Sequence, residues 1–420
     1  MDYPSARLRT SCGKLFRAQL VRQIAQMALF PLDKWRNCGI FGLVVIPRKL
    51  SGVVMEKLTS SDKGVVIYGA RQVGKTTLVN EVIGKLGVRT LVINGDQSRY
   101  VSVLSSRDLA RIRGLVAGYE LLFVDEAQRI PEIGLNLKII RDELPKLKLV
   151  VTGSSSLDLA SRISEPLTGR MWTYRLYPIA VSELGGLYND FELGSALEER
   201  LVYGSYPEIF SMDGGSQKRE YLQVLADAYL YKDLLELGGL KSSAKIRDLL
   251  KLLAFQIGSE VSLSELGTTL EMSKDTVSRY IDFLEKSYVV FRVSGLSRNL
   301  RKEVGKMDKI FFYDLGVRNS MIDNFKTLKD RDDAGRLWEN WLIVERMKKL
   351  AYTGEYPAMY FWRTYTGAEL DYVEEGGGKL AGYEFKYSRK GTRAPKSWLE
   401  TYPGSSFSVV NKDNWLEFVR

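Results

Sequence analysis

The 420-residue chain has no histidine and only two cysteines, Cys12 and Cys38. Without histidine there is no Ser-His-Asp or Cys-His nucleophile, no imidazole base and no zinc site that needs a histidine ligand. Two cysteines close to the N-terminus also exclude a disulfide framework and a cysteine-rich metal knuckle. Long apolar runs are missing too. A membrane helix needs roughly 18 such residues, and the best stretch, Gly39 to Pro47, is about half of that. What chemistry remains rests on carboxylates, lysines, arginines, hydroxyls and a hard, oxygen-liganded metal.

The formal charge of +10 suggests nucleic acid, but nine Lys/Arg against two acids in residues 1–49 supply +7 of it. The other 371 residues carry only +3, so any argument for DNA must rest on local patches. Residues 1–45 read as a basic N-terminal extension. Its amphipathic stretch LFRAQLVRQIAQMALF lacks the compact apolar core of a targeting peptide. An added helix or translated upstream sequence is the simpler reading, and a cytoplasmic, membrane-free protein is the expectation. The length predicts two or three domains.

Apolar runs at GVVIY (64–68), RTLVINGD (89–96), ELLFVDEA (120–127) and KLVVTGS (148–154) each end in Gly, Asp or Ser. Helical patterns separate them, which predicts an α/β fold with a parallel sheet. From about 180 to 258 the pattern is helical, broken at SMDGGSQK (211–218). Residues 244–293 read helix, helix, turn, helix, strand. The last hundred residues read as a helix (334–351), three strands (358–364, 368–374, 379–387), a helix near 394–402 and a strand (406–411).

The octet Gly69-Ala70-Arg71-Gln72-Val73-Gly74-Lys75-Thr76 matches G-x-x-x-x-G-K-[ST] between a strand and a helix. Its glycines let the backbone N–H groups and the helix N-terminus close on a β-phosphate. Lys75 is placed to reach the β- and γ-oxygens, Thr76 to ligate Mg²⁺, and Thr77 completes the ATP-binding set. In LLFVDEAQ, Asp125 at a strand tip is placed to hold Mg²⁺, and Glu126 to polarise the attacking water. Ser154 is a candidate γ-phosphate contact. Arg162 and Arg170 are candidates for charge stabilisation, within the chain or across a subunit boundary of a homo-oligomer. Arg71 either faces the nucleotide or shapes the loop.

GARQVGKTTL, LLFVDEAQRIPEIGLNLKIIRD and VTGSSSLDL, followed by PLTGR and YRLYPIAVSEL, resemble an AAA-type ATPase family. Its members carry a C-terminal domain labelled DUF4143. YGSYPEIF, YLYKDLLEL and KIFFYDLGVRN extend the resemblance over residues 46–420. It implies an additional-strand P-loop core, with Lys75, Thr76, Asp125 and Glu126 in the roles given above.

SLSELGTTLEMSKDTVSRYIDFLEKSYVVFRV reads as a winged helix. Ser262 with Glu265 and Ser273 with Asp275 mark two helix starts. Val277, Tyr280, Ile281 and Leu284 form the apolar face of the second helix. That leaves Lys274, Thr276, Ser278 and Arg279 for a DNA groove or phosphates. Residues 292–309 carry six Lys/Arg and two acids, a composition suited to a wing.

Asp371, then Glu384 and Lys386 two residues apart, lie on consecutive strands of an expected hairpin, with Glu339 on the preceding helix. Two carboxylates and a lysine can organise Mg²⁺ and water at a phosphodiester, and the order resembles the PD-(D/E)xK nuclease fold. Residues 379–396, including Arg389 and Lys390, add six Lys/Arg against one Glu. A degenerate fold kept for binding or assembly is the competing reading.

The domains expected are the extension 1–45, a P-loop ATPase domain of AAA or STAND type at 46–178 and a helical lid or linker at 179–240. A winged helix at 241–310 and a restriction-endonuclease-like domain at 311–420 follow. The function expected is a Mg²⁺-dependent ATPase that binds duplex, end or branched DNA, in recombination or repair. The rival is a nucleotide-gated signalling switch whose C-terminal domains bind a protein partner.

Overall fold

Five consecutive buried residues, GVVIY, make β1 (Gly64–Tyr68) a strand covered on both faces, as parallel sheets require. The computed structural model describes residues 46–154, 167–238, 243–297, 308–387 and 393–420. The first sheet adds β2 (Thr90–Asn94), β3 (Leu121–Asp125), β4 (Lys148–Gly153) and β5 (Met171–Arg175) in the order β2-β3-β4-β1-β5. All four pairings are parallel, so every loop that follows a strand emerges at one edge. β5 was not legible as a strand. Its sequence MWTYR is half exposed, and an edge strand lacks the continuous apolar run of β1, β3 and β4.

A second sheet of seven strands has the order β12-β11-β10-β9-β7-β8-β6. Its members are β6 (Glu260–Val261), β7 (Val290–Gly295), β8 (Asp308–Phe312), β9 (Ala358–Arg363), β10 (Glu369–Gly376), β11 (Lys379–Phe385) and β12 (Ser406–Val410). The helices Ser243–Phe255, Leu263–Leu270 and Lys274–Lys286 precede β7 in the expected order, and Ser262 and Ser273 cap the second and third. β7 pairs in parallel with β9, which joins the 241–310 segment to the C-terminal strands in one sheet. β8 therefore straddles the boundary expected at 310–311.

The helix Ala334–Thr353 joins the two sheets. Glu345 Oε2 accepts from the Val181 amide at 2.8 Å, and Lys348 Nζ donates to Ile179 O at 3.1 Å and to Glu345 at 2.7 Å. Both side chains are almost fully buried. A buried, satisfied network of this kind fixes orientation, and residues 46–420 form one compact unit. Among the described residues no helix is long and apolar enough to cross a membrane.

Candidate nucleotide site and a second acidic cluster

The helix Lys75–Leu86 starts at Gly74, which lies at φ 95° and provides no side-chain cap, and its first turn holds no acid. No capping side chain covers the helix start, and the positive end of the helix faces the loop. Lys75 is buried, with Nζ on the loop carbonyls of Gly69 at 2.9 Å and Ala70 at 2.8 Å. Gly69 admits no side chain: a Cβ there would lie 2.3 Å from Leu176 O.

β1 and β3 both end at this edge, so the structure brings the two motifs together. Thr76 Oγ1 donates to Asp125 Oδ2 at 2.9 Å, and Thr152 Oγ1, from the end of β4, donates to Asp125 Oδ1. Thr76 is exposed and Asp125 buried. A hydroxyl and a carboxylate side by side at a solvent edge are hard oxygen donors, and this set fits Mg²⁺. Glu126 follows at φ 51°, a left-handed conformation that costs a non-glycine residue of order 1 kcal/mol and concentrates at functional sites. Its Oε2 accepts from Gln128 Nε2 at 2.5 Å. Ser154 is buried just beyond β4, and Thr77 is exposed on the helix. Thr152 escaped the sequence reading because it sits inside the apolar run KLVVTG. Only strand register places it beside Asp125.

Arg48 was also missed. Its buried guanidinium donates to Val73 O in the phosphate loop at 2.8 Å and to Tyr177 O at 2.6 Å. It also pairs with Glu183 at 3.0 Å and lies 3.4 Å from the Tyr352 hydroxyl. In the sequence it is an isolated arginine outside any motif. Gln72, at φ 58° in the same loop, accepts from the Tyr221 hydroxyl at 3.0 Å.

Arg170 is the clearest correction. It sits where β5 begins, where its carbonyl accepts from the Gly64 amide at 3.0 Å. That is the opposite end of β1 from the phosphate loop, about 16 Å away at ~3.3 Å per strand residue. Its guanidinium pairs with Asp142 at 2.6 Å, so it serves no phosphoryl group within the chain. Arg162 lies outside the described residues.

In the second sheet the four residues singled out form a chain of neighbours, Glu339 to Asp371 and Asp371 to Glu384 and Lys386, and Glu339 at its inner end meets Lys309, a residue of the expected wing. Lys309 Nζ lies 3.2 Å from Glu339 Oε1 and 3.0 Å from Glu369 Oε1. Asp371 Oδ2 accepts from the Phe385 amide at 2.7 Å, and Lys386 pairs with Glu384. A register shift in the β9/β10 pair falls between Leu370 and Val373, and such bulges re-aim side chains. Burial, reinforced by Asp371 and Glu369 against the opposing pull of Lys309, pushes Glu339 up to about 8. Burial and the neighbouring Glu384 raise Asp371 to about 6. Burial alone would lower Lys309, but Glu339, Glu369 and Asp371 outweigh it and hold the ammonium above its ordinary value. Among the described residues no three carboxylates converge tightly enough to cage a metal. The cation inside this cluster is a lysine.

Of the expected DNA contacts, Lys274 and Arg279 are exposed on the helix Lys274–Lys286. Thr276 is occupied at the helix start, its hydroxyl 2.9 Å from Ser273 Oγ, and Ser278 is half-buried. Arg292 pairs with Asp282 at 2.7 Å and with Glu285 at 2.9 Å. Arg292 and Lys309 are thus both engaged internally, which removes them from the expected wing. Arg389 and Lys390 lie outside the described residues.

Comparison with known proteins agrees with this geometry. Residues 61–185 match an AAA domain, 194–328 a domain of unknown function (DUF8612) and 334–418 the domain of unknown function DUF4143. An uncharacterised protein of Mycobacterium tuberculosis is 28% identical over 325 residues, covering 77% of this chain and 70% of that protein. One from Methanocaldococcus jannaschii is 23% identical over 303 residues, covering 68% and 66% respectively. A Walker-type ATPase of Pyrococcus abyssi superimposes with a TM-score of 0.44 at 13% identity, over 66% of this chain and 96% of that one. The phosphate loop and its parallel sheet thus lie within a P-loop domain of AAA type, and the chain carries a DUF4143 domain at its C-terminal end.

Proposed function

We propose that ATP hydrolysis at the phosphate loop is Mg²⁺-dependent and coupled to DNA held by the C-terminal half of the chain. The observation that carries this reading is the pair of ties between the loop and distant elements: Gln72 to Tyr221, and Val73 through Arg48 to Tyr352. A loop that rearranges around a nucleotide pulls on both. Lys75 exchanges its two loop carbonyls for phosphate oxygens, and Glu126 orients and polarises the attacking water. Thr76 and Asp125 are the residues to hold Mg²⁺, which neutralises phosphate charge when bound. Thr152 fixes Asp125, and Ser154 stands at the neighbouring strand end. Arg170 enters only if a second copy presents it.

Lys75→Ala is expected to lower kcat/KM for ATP about 10²–10³-fold, the usual loss for one charged stabilising donor; full activity would remove the phosphate site from this loop. The coupling is tested by steady-state hydrolysis without DNA, with linear duplex and with a four-way junction. Severalfold stimulation is expected. The double change Lys274→Ala, Arg279→Ala should weaken binding and reduce the salt slope by about 2. A rate identical in all three conditions overturns the coupling to DNA.

Cleavage is not part of this proposal, because Lys309 already provides the cation among the carboxylates. A Mg²⁺-dependent cut lost in both Asp371→Ala and Glu384→Ala would contradict that. One observation favours the rival reading, a nucleotide-gated switch acting on a protein partner. Both described basic residues of the 292–309 stretch are held in ion pairs within the chain, and a flat DNA response would favour it.

A further inference from the structure

A cavity of about 350 Å³ opens beside β5, the edge strand of the parallel sheet, with further walls from the helices Lys49–Ser60 and Ala334–Thr353. Six of its fifteen lining residues are tyrosines: Tyr68, Tyr174, Tyr177, Tyr288, Tyr352 and Tyr356. None of the lining belongs to the phosphate loop or the Lys309 cluster. Three of the rings keep accessible surface, since Tyr356 is 78% exposed and Tyr174 and Tyr352 are half-buried. The lining holds a single cation, Arg175, which is exposed, and a single carboxylate, Glu355. Glu355 accepts from the Thr353 hydroxyl at 2.9 Å. The Arg175 guanidinium lies 4.7 Å from the Tyr288 ring centroid and donates to the Tyr313 hydroxyl at 3.2 Å. It forms no ion pair among the described residues.

The same edge strand carries a fourth accessible ring. Alternate residues of a strand share a face, which puts Trp172 beside Tyr174. Lys57 joins the two, with Nζ 5.4 Å from the Trp172 ring centroid and within electrostatic reach of the Tyr174 hydroxyl. Lys63 Nζ lies 4.6 Å from the same indole and forms no ion pair among the described residues, whereas Lys57 is shared with Glu56 at 2.8 Å. Trp172 is 36% exposed, and its indole N–H is held by Ser61 Oγ at 3.1 Å. Rings set along an open strand edge, with ammonium and guanidinium groups beside them, suit a polyanion whose flat groups are splayed out. A duplex keeps its bases paired and stacked, so a single strand fits this arrangement and a duplex does not.

We propose that this edge of the parallel sheet binds single-stranded DNA. One unpaired base enters the tyrosine cavity against Tyr174 and Tyr356, a neighbouring base stacks on Trp172, and phosphates accept from Arg175 and Lys63. The cavity is at the small end of the ~300–1,000 Å³ range of ligand sites, which suits one nucleotide. This inference rests on the DNA reading above and names the form of DNA held at this edge.

The test uses the full chain with its phosphate loop saturated by Mg²⁺-ADP and follows the anisotropy of a fluorescein-labelled oligo-dT of about 12 nucleotides. Trp172→Ala and Tyr356→Ala should each weaken binding about 5–150-fold, the range for loss of one stacking ring. Trp172→Phe and Tyr356→Phe keep a ring and should retain most of the affinity. Lys63→Ala and Arg175→Gln should each reduce the salt slope by about 0.7. An abasic strand of the same length should bind as weakly as the alanine variants bind oligo-dT. A duplex of that length should not distinguish Tyr356→Ala from wild type. Tyr356 is exposed and outside the phosphate site, so Tyr356→Ala should hydrolyse ATP without DNA at the wild-type rate. The proposal is overturned if oligo-dT does not bind, if the abasic strand binds equally, or if both alanine variants bind oligo-dT as wild type. Affinity lost only in the Lys274→Ala, Arg279→Ala variant would overturn this site and leave the DNA reading standing. A hydrolysis rate unmoved by duplex and junction would overturn the coupling and leave this site standing.

Discussion

Glu126→Gln should lower kcat for ATP hydrolysis by about 10²–10⁴, the range for loss of a positioned general base, with KM within a few fold. The substitution keeps the shape of the side chain and removes only its charge and basicity. The surroundings make that separation clean. The Glu126 backbone is pinned by its own left-handed conformation at φ 51° and by Gly95, whose amide donates to Asp125 O at 2.8 Å. A Cβ at Gly95 would lie 2.3 Å from Glu126 O, so strand ends β2 and β3 meet closely beneath the glutamate. The side chain accepts from Gln128 Nε2 at 2.5 Å, a contact that a glutamine can also make. Thr76, Asp125 and Lys75 are untouched, so a fluorescent ATP analogue should bind the variant as it binds wild type. Normal turnover by Glu126→Gln would move the water-positioning role elsewhere, and lost binding would make the residue structural.

How far the sequence carries these conclusions depends on the range of the interaction. The phosphate loop was legible because its meaning lies within eight residues and its context within twenty. Asp125 and Glu126 were legible once that loop existed, since an apolar strand ending in two acids has few other uses beside it. The helix and strand order of residues 334–410 followed from periodicity, and Glu384 and Lys386 from simple alternation. What failed was direction and pairing. Arg170 is close to the loop in the chain's logic but sits at the wrong end of β5, because a parallel strand enters the sheet at the edge opposite the site. Lys309 reads as one more basic residue of a wing. The pairing of β8 with β7, and of β7 with β9 at Ser294 and Tyr360, sets its strand beside the C-terminal strands, and its ammonium meets Glu339 and Glu369 there. Arg48 joins the phosphate loop to Glu183 and Tyr352 across separations of 135 and 304 residues, and no local pattern encodes that.

The Lys309 cluster makes stability fall as pH rises, and the effect should be large. Glu339 faces Lys309, Glu369 and Asp371, and Asp371 in turn faces Glu384 and Lys386. Glu339 is raised from 4.5 to about 8 and Asp371 from 3.8 to about 6 in the folded chain. A carboxyl raised on folding holds its proton where the unfolded chain has lost it, so folding binds protons throughout that interval. The stability it contributes is complete below the unfolded value and is lost as pH rises through the folded one. In EDTA, the urea midpoint should therefore fall between about pH 4 and pH 8, by a free energy of order a few kcal/mol. Glu339→Gln should abolish most of the slope above pH 6, leaving only the Asp371 portion below it. Lys309→Met removes the buried cation that faces Glu339 and Glu369 and should cost about 3–5 kcal/mol at pH 8.5, as breaking a buried pair from one side does. At pH 5 the cost should shrink, because Glu339 is then protonated and asks for no counter-charge. Adding Glu339→Gln to Lys309→Met should restore much of the loss at pH 8.5, a coupling that only residues in one network show. A Lys309→Met penalty equal at both pH values, or a wild-type midpoint that rises across the interval, would mean that Lys309 does not balance these carboxylates. The counter-charge would then come from Lys386 or from a bound metal, and only a metal would return cleavage as the chemistry of this centre.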